Sequence, residues 1–256
     1  MTKPIFHQFI CGEDNFCVLI HDPDSGMTAA VDTPDAEPIA RELRAKGWTL
    51  THILTTHHHY DHTDGHEELK AETGATLIGA GNDSARIPGL DMPVADGERF
   101  TLGRHTVEVL ETPGHTRGAV CYWLPDAGVV FTGDTLFSLG CGRLFEGDGQ
   151  MMWNSLQKLM ALPPETQIYC GHEYTEANGR FALAVEPGNA ALQQRVAEAK
   201  VLRSDGKATV PTTLAAEMAQ NPFLRPSSSE IQAALGLSGQ PLATIFTELR
   251  RRKDHF

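Results

Sequence analysis

Six consecutive positions, residues 57–62, hold His57, His58, His59, Tyr60, Asp61 and His62. Imidazole nitrogen and carboxylate oxygen are the donors that zinc, iron and manganese accept, and so many titratable groups side by side would be costly to hold together without a cation. The stretch before them, residues 50–56 (LTHILTT), is apolar and β-rich and stops at His57. Side chains two apart on an extended segment point the same way, so His57 and His59 converge on one ion, and a turn at Tyr60 lets Asp61 and His62 face a second. His58 points away from its neighbours and is expected to be structural or to support a ligand from behind.

Three more segments end in the same manner. Residues 107–111 lead into Thr112, Pro113, Gly114 and His115, residues 129–132 into Gly133 and Asp134, and residues 168–170 into Gly171 and His172. Each is an apolar strand whose glycine turn presents one ligand-type residue. Strands with their C-terminal ends on one edge would bring these residues into a single cleft, the place where loops on a rigid scaffold carry function. The candidate ligands are then His57, His59, Asp61, His62, His115, Asp134 and His172. They exceed the needs of one tetrahedral ion and suit two, each with three terminal ligands and one carboxylate bridging. Two ions about 3.5–4 Å apart can hold a bridging hydroxide, because a bound cation lowers the pKa of water toward ~7. The chemistry implied is hydrolysis without a Ser or Cys nucleophile. His7, His21, His52, His66, His105 and His255 stand alone and are read as structural.

The elements that must position these residues follow from the texture of the chain. Through about residue 172 it alternates short apolar, β-branched runs with Gly, Pro and Asp turns, and a helix is expected over residues 35–46, before Gly47. This pattern predicts a mixed α/β domain over residues 1–172. After Tyr174, residues 189–203 and 242–252 read as amphipathic helices, with breakers at Pro187, Pro211, Pro222 and Pro226, which predicts a helical domain over residues 173–256.

At 256 residues the chain can bury a substantial core, and 41% hydrophobic with 21% charged residues is an ordinary globular composition. A net charge of −12 argues against nucleic-acid or anionic-membrane partners, which are attracted by clustered Lys and Arg. The one basic run, Arg250, Arg251, Arg252 and Lys253, is either a small-anion site or a solvated helix end complementing the helix dipole. Five scattered cysteines without a CxxC pair suggest reduced thiols. Acidic residues interrupt the N-terminal apolar stretch, and no segment has the length of a membrane span. The expectation is a cytoplasmic monomer acting on a small molecule.

The motifs THHHYDHTDG (56–65), TPGHTRG (112–118), TGDTLF (132–137) and CGHEYT (170–175) resemble the metallo-β-lactamase superfamily. GCGRLFEG (140–147), GHEYT, NPFLR (221–225) and the terminal RRRKDHF look most like its glyoxalase II branch, the hydroxyacylglutathione hydrolases, and the resemblance covers nearly the whole chain. It implies an αββα sandwich with a C-terminal α-helical domain. It further implies two divalent metal ions, zinc foremost with iron or manganese as alternatives: His57, His59 and His115 on one, Asp61, His62 and His172 on the other, Asp134 bridging. Asp61 and Asp134 are the catalytic carboxylates in that scheme. Arg143, Phe145, His172, Tyr174, Arg250 and Lys253 match positions that contact glutathione. One common form of the pattern has Lys and Tyr where this chain has Arg143 and Phe145, so the cation is kept and a hydroxyl is lost.

The implied reaction is hydrolysis of S-lactoylglutathione to glutathione and D-lactate, the second step of methylglyoxal detoxification. Two other activities of the same sandwich compete with it: a lactonase or phosphodiesterase, and a mononuclear iron persulfide dioxygenase. A catalytically silent scaffold is a third reading. The basic helical tail argues against the first and the seven-ligand set against the other two.

Overall fold

The structure is a computed structural model that describes residues 2–256. The chain forms two compact units: the chain to Glu111 with Gly118–Gly133, and Thr112–Arg117 with Asp134–Phe256.

The first unit opens with β1 (Ile5–Cys11), β2 (Asn15–His21) and β3 (Thr28–Val31), an antiparallel meander. Helix α1 (Ala36–Lys46) follows as expected. Asp35 caps it by accepting from the Glu37 N–H, and Gly47 closes it in the left-handed conformation at φ 68°. Its buried residues Ala36, Ile39 and Leu43 recur at helical spacing and so make one core face. Next come β4 (His52–Leu54), the one-turn helix α2 (Tyr60–Thr63), α3 (His66–Thr73), β5 (Thr76–Ala80), a 3-10 turn and β6 (Met92–Val94). Strands β3, β4, β5 and β6 are parallel, and the six-stranded sheet runs β1-β2-β3-β4-β5-β6.

A second antiparallel set in this unit is β7 (Arg99–Leu102), β8 (His105–Glu111), β9 (Val120–Leu124) and β10 (Val129–Gly133). The two sheets face each other. Phe6 of β1 lies 6.0 Å from Phe131 of β10, and the buried Tyr122 hydroxyl of β9 donates to the Thr55 carbonyl at 2.8 Å. On the other face of the first sheet, Leu19, Ile53 and Leu77 pack with Ile39, Leu43 and Leu69 of the helices. Each such fully buried aliphatic side chain contributes about 1.5–3 kcal/mol relative to exposure. This core fixes the strand end from which the histidine run departs.

The second unit contains the hairpin β11 (Leu136–Phe137) and β12 (Gly140–Cys141), α4 (Gly149–Met160), and β13 (Gln167–Cys170) paired antiparallel with β14 (Thr212–Thr213). Its helices are α5 (Thr175–Val185), α6 (Ala190–Ser204), α7 (Leu214–Gln220), α8 (Ser229–Leu235) and α9 (Leu242–Asp254). Asp148, Asn189 and Thr213 cap α4, α6 and α7 through their side chains. An aromatic chain runs Trp153, Phe246, Phe223, Phe181, each ring about 6 Å from the next at 6.0, 5.9 and 5.9 Å, and ties α4, α9 and α5 together. The α/β class and the helical C-terminal region expected from the sequence are both present.

Candidate metal centre

In the first unit the strand of β4 is shorter than residues 50–56, yet the chain stays ordered by neighbours on both sides. Thr55 N–H bonds the Ile78 carbonyl, and the Thr56 carbonyl accepts from Val120 N–H. His57 thus starts from a backbone fixed between two sheets. The rings of His57 and His59 meet edge to face, with Nε2 of His57 3.1 Å from Nδ1 of His59. Tyr60 does begin a change of direction, but it is a turn of helix, and Asp61 Oδ2 sits 3.7 Å from His62 Nε2 within it. A metal with donors at about 2.0–2.1 Å in tetrahedral array separates them by about 3.3 Å, so these pairs have the spacing of shared ligands.

Behind them stands Asp32, a residue the sequence reading did not single out. It is buried at the end of β3, in the left-handed conformation at φ 53°. Its Oδ1 accepts from Thr56 N–H at 2.8 Å and its Oδ2 lies 2.8 Å from Thr56 Oγ1 and 2.9 Å from His62 Nδ1. Thr56 Oγ1 is in turn 3.1 Å from His57 Nδ1. Engaging Nδ1 on both rings turns Nε2 outward as the donor atom, and a carboxylate behind an imidazole raises its basicity. Asn15, also unforeseen, donates its Nδ2 to the Asp61 carbonyl at 2.8 Å and lies 3.3 Å from Asp61 Oδ2. A strand-end VDT and a hairpin-tip Asn are common in sequences, and only their long-range contacts reveal them. His58 points away as expected, its Nδ1 3.0 Å from the buried Asp83 carboxylate.

In the second unit Asp134 lies between two imidazoles. Its Oδ2 is 3.4 Å from His115 Nε2 and its Oδ1 is 3.5 Å from His172 Nε2, so each oxygen faces a different ring. That is how a carboxylate bridging two ions would present itself, and the donor set fits divalent metal. His115 Nδ1 is held by the Arg143 carbonyl at 2.9 Å, which leaves Nε2 as the ligand atom. The turn before His115 needs Gly114, whose φ of 152° and packing against Met152 leave no room for a Cβ. The His172 ring stacks on Tyr174 at 4.7 Å with 2° between planes. His7, His21, His52, His66, His105 and His255 belong to none of the ligand groups among the described residues.

The other candidate contacts are also in this unit. Phe145 is exposed and meets the His115 ring edge-on at 5.3 Å. Arg143 is exposed, its Nε 3.9 Å from Asp254 Oδ1. Arg250 is instead buried: it donates to the Cys141 carbonyl at 2.6 Å and to Asp254 at 3.0 Å, and its guanidinium lies over Phe223. Lys253 bonds the Ala177 carbonyl at 3.4 Å beside the rings of Phe181 and Phe256. Burial first, and then the charges of Arg250, Arg180 and Arg143, push its pKa down. Arg251 and Arg252 pair with Glu248. The basic run therefore splits into two surface ion pairs and two inward cations.

Comparison with known sequences matches residues 10–172 to the family described as the metallo-beta-lactamase superfamily and residues 173–256 to the one described as hydroxyacylglutathione hydrolase C-terminus. The hydroxyacylglutathione hydrolase of Methylococcus capsulatus is 56% identical over 244 residues, 95% of each chain. That of Brucella anthropi is 55% identical over 249 residues, 97% of this chain and 96% of its own. Among solved structures, ETHE1 from Myxococcus xanthus superposes with a TM-score of 0.66 at 27% identity, covering 98% of this chain and 100% of its own.

Proposed function

We propose that this chain, which belongs to the hydroxyacylglutathione hydrolase family of the metallo-β-lactamase superfamily, hydrolyses S-(2-hydroxyacyl)glutathione to glutathione and a 2-hydroxy acid. The observation that carries the reading is the likeness to hydroxyacylglutathione hydrolases at 55–56% identity over nearly the full length of both chains. Likeness to ETHE1 is weaker at 27% identity, which favours the hydrolase over an alternative activity on the same sandwich.

The chain binds divalent metal through His and Asp donors. Our assignment puts His57, His59 and His115 on one ion and Asp61, His62 and His172 on a second, with Asp134 common to both, because imidazole nitrogen and carboxylate oxygen are donors that such ions accept. Zinc is our first choice for both, with iron or manganese as substitutes. Ions held there would supply an activated water and positive charge facing the developing oxyanion. The residues of the chain do the rest. Asp32 and Thr56 hold His62 and His57 in the ligand tautomer, and Asn15 fixes Asp61. Asp134 orients toward His115 with one oxygen and toward His172 with the other.

The glutathione moiety carries two carboxylates, which suit Arg143 and Lys253, with Phe145 and Tyr174 as apolar walls. Arg250, buried against Asp254, serves that surface from behind. The leaving thiolate, whose parent thiol has a pKa of ~8.5 by analogy with cysteine, departs without a dedicated general acid. We assign residues 1–172 to metal binding and catalysis and residues 173–256 to substrate recognition. A monomeric, cytoplasmic enzyme completes the proposal. No helix among the described residues is long and apolar enough to cross a membrane.

The test compares S-lactoylglutathione with a simple lactoyl thioester that lacks the glutathione carboxylates. A kcat/KM advantage of about a hundredfold or more for the glutathione thioester is expected, since two charge-assisted contacts contribute about 1.5–3 kcal/mol each. Equal rates on the two would remove the glutathione assignment.

A further inference from the structure

All three candidate ligands of the second unit lead to one small element, the β11–β12 hairpin. Asp134 stands two residues before Leu136, where the hairpin begins. The Arg143 carbonyl, two residues after its end at Cys141, holds His115 Nδ1 at 2.9 Å. Phe137, within it, meets the His172 ring edge-on at 6.0 Å and Tyr174 at 5.4 Å. A two-stranded hairpin of this size is not stable by itself, so something else must hold its shape.

The helices supply it with buried polar groups. Asn221 is fully buried; its Oδ1 accepts from Phe223 N–H, which fixes the amide so that Nδ2 donates to the Phe137 carbonyl at 3.1 Å and to the Gly140 carbonyl at 3.0 Å. Those two residues face each other across the hairpin, so one amide clasps both strands. Asn178 on α5 donates to the Ser138 carbonyl at 3.1 Å, and Gly140 lies so close to its amide that a Cβ has no space. Glu217 on α7 accepts from Leu139 N–H at 2.8 Å. Arg250 on α9 donates to the Cys141 carbonyl at 2.6 Å. Leu139 takes the left-handed conformation at φ 58°, strained for a leucine by about 1–2 kcal/mol, and its side chain is sunk between Ala182 and Leu192 of α5 and α6.

We propose that Asn221 and Asn178 are positioning residues for the metal pair, acting through the β11–β12 hairpin: the helical region sets the placement of Asp134, His115 and His172 and so the retention of metal. This rests on the metal-dependent reading above. It assigns to the helical region a role in the metal centre in addition to substrate recognition. Residues that orient ligands from outside typically alter metal affinity 10–100-fold when removed.

The experiment loads the full chain with zinc, measures zinc per chain, and follows zinc release to a chromogenic chelator alongside the thermal unfolding midpoint. Asn221→Ala is expected to release zinc about tenfold faster or more, and Asn178→Ala to change in the same direction. Asn189→Ala is the control. Asn189 caps α6 and bonds Glu186 and the Ala219 carbonyl without touching the hairpin, so it should lower the midpoint while leaving release at the wild-type rate. Wild-type release from folded Asn221→Ala and Asn178→Ala, or equal acceleration in Asn189→Ala, overturns the proposal. Should Asn221→Ala not fold, Asn178→Ala against Asn189→Ala decides it. A wild-type chain that takes up no zinc would instead sink the metal-dependent reading itself.

Discussion

Asp32 Oδ2 lies 2.9 Å from Nδ1 of His62, and the two are buried together behind the histidine run. The pairing sets which nitrogen of His62 faces outward. Asp32→Asn keeps the shape, and Asn tolerates the left-handed backbone found there, so the fold should persist. Losing the carboxylate should weaken metal binding about 10–100-fold, read by competition with a chelator. An unchanged affinity would show that Asp32 serves only the backbone of Thr56.

Gly133, immediately before Asp134, has φ 46° and its missing Cβ faces the Thr56 side chain. Gly133→Ala should cost at least about 1–2 kcal/mol from the backbone alone, with further loss from the clash, measured by urea unfolding. A neutral substitution would mean that the turn relaxes freely.

Arg143 and Arg250 should behave differently despite equal charge. Arg143 is exposed, so Arg143→Ala should raise KM for the glutathione thioester, more at low salt than at high, with little change in stability. Arg250 is buried with its donors on Cys141 and Asp254, so Arg250→Ala should lower the unfolding midpoint as well as activity. Identical profiles for the two would contradict this division.

His66 titrates against stability. It is buried beside Thr55, and burial chiefly pushes its pKa down from 6.5 to about 4. Between those values the unfolded chain binds a proton that the folded chain refuses, so stability falls as the pH drops from about 6.5 to about 4 and is unaffected by this group above that window. The full loss is about 3 kcal/mol. His66→Gln should flatten that part of the pH profile in urea unfolding; an unchanged slope would contradict it.

The thiols should be silent. All five cysteines are buried, and burial pushes Cys11 and Cys141 up to about 11 and Cys170 up to about 12. Thiolate is the reactive form, so a thiol reagent at pH 8 should label none of the five in the folded chain and all of them in denaturant.

Much of this site was legible because its residues are chemically unusual neighbours. A run of four histidines and an aspartate ending an apolar strand has few explanations, and helix signals such as Asp35 with Gly47, or Asn189 before α6, mark local capping that needs no tertiary context. Asp32 and Asn15 were not legible because their contacts cross 30 and 46 positions of chain. Arg250 stood between these cases. The sequence places it in a basic run and, by resemblance, among the glutathione contacts, yet it lies four residues after the buried Phe246, on the face that also carries Ile245 and Leu249, and that spacing points it inward. The hairpin anchors Asn178, Glu217 and Asn221 lack any pattern of their own, since a buried amide is recognised only by what it bonds.

The most direct measurement is steady-state hydrolysis of S-lactoylglutathione by the metal-depleted chain as zinc is added back, with bound metal counted on the same samples and Asp134→Ala carried in parallel. Activity should climb to a plateau at about two ions per chain, and Asp134→Ala should lose most hydrolysis while staying folded. A plateau at one ion, full activity in Asp134→Ala, or no hydrolysis from a chain holding two ions would contradict the bridged dinuclear thioesterase.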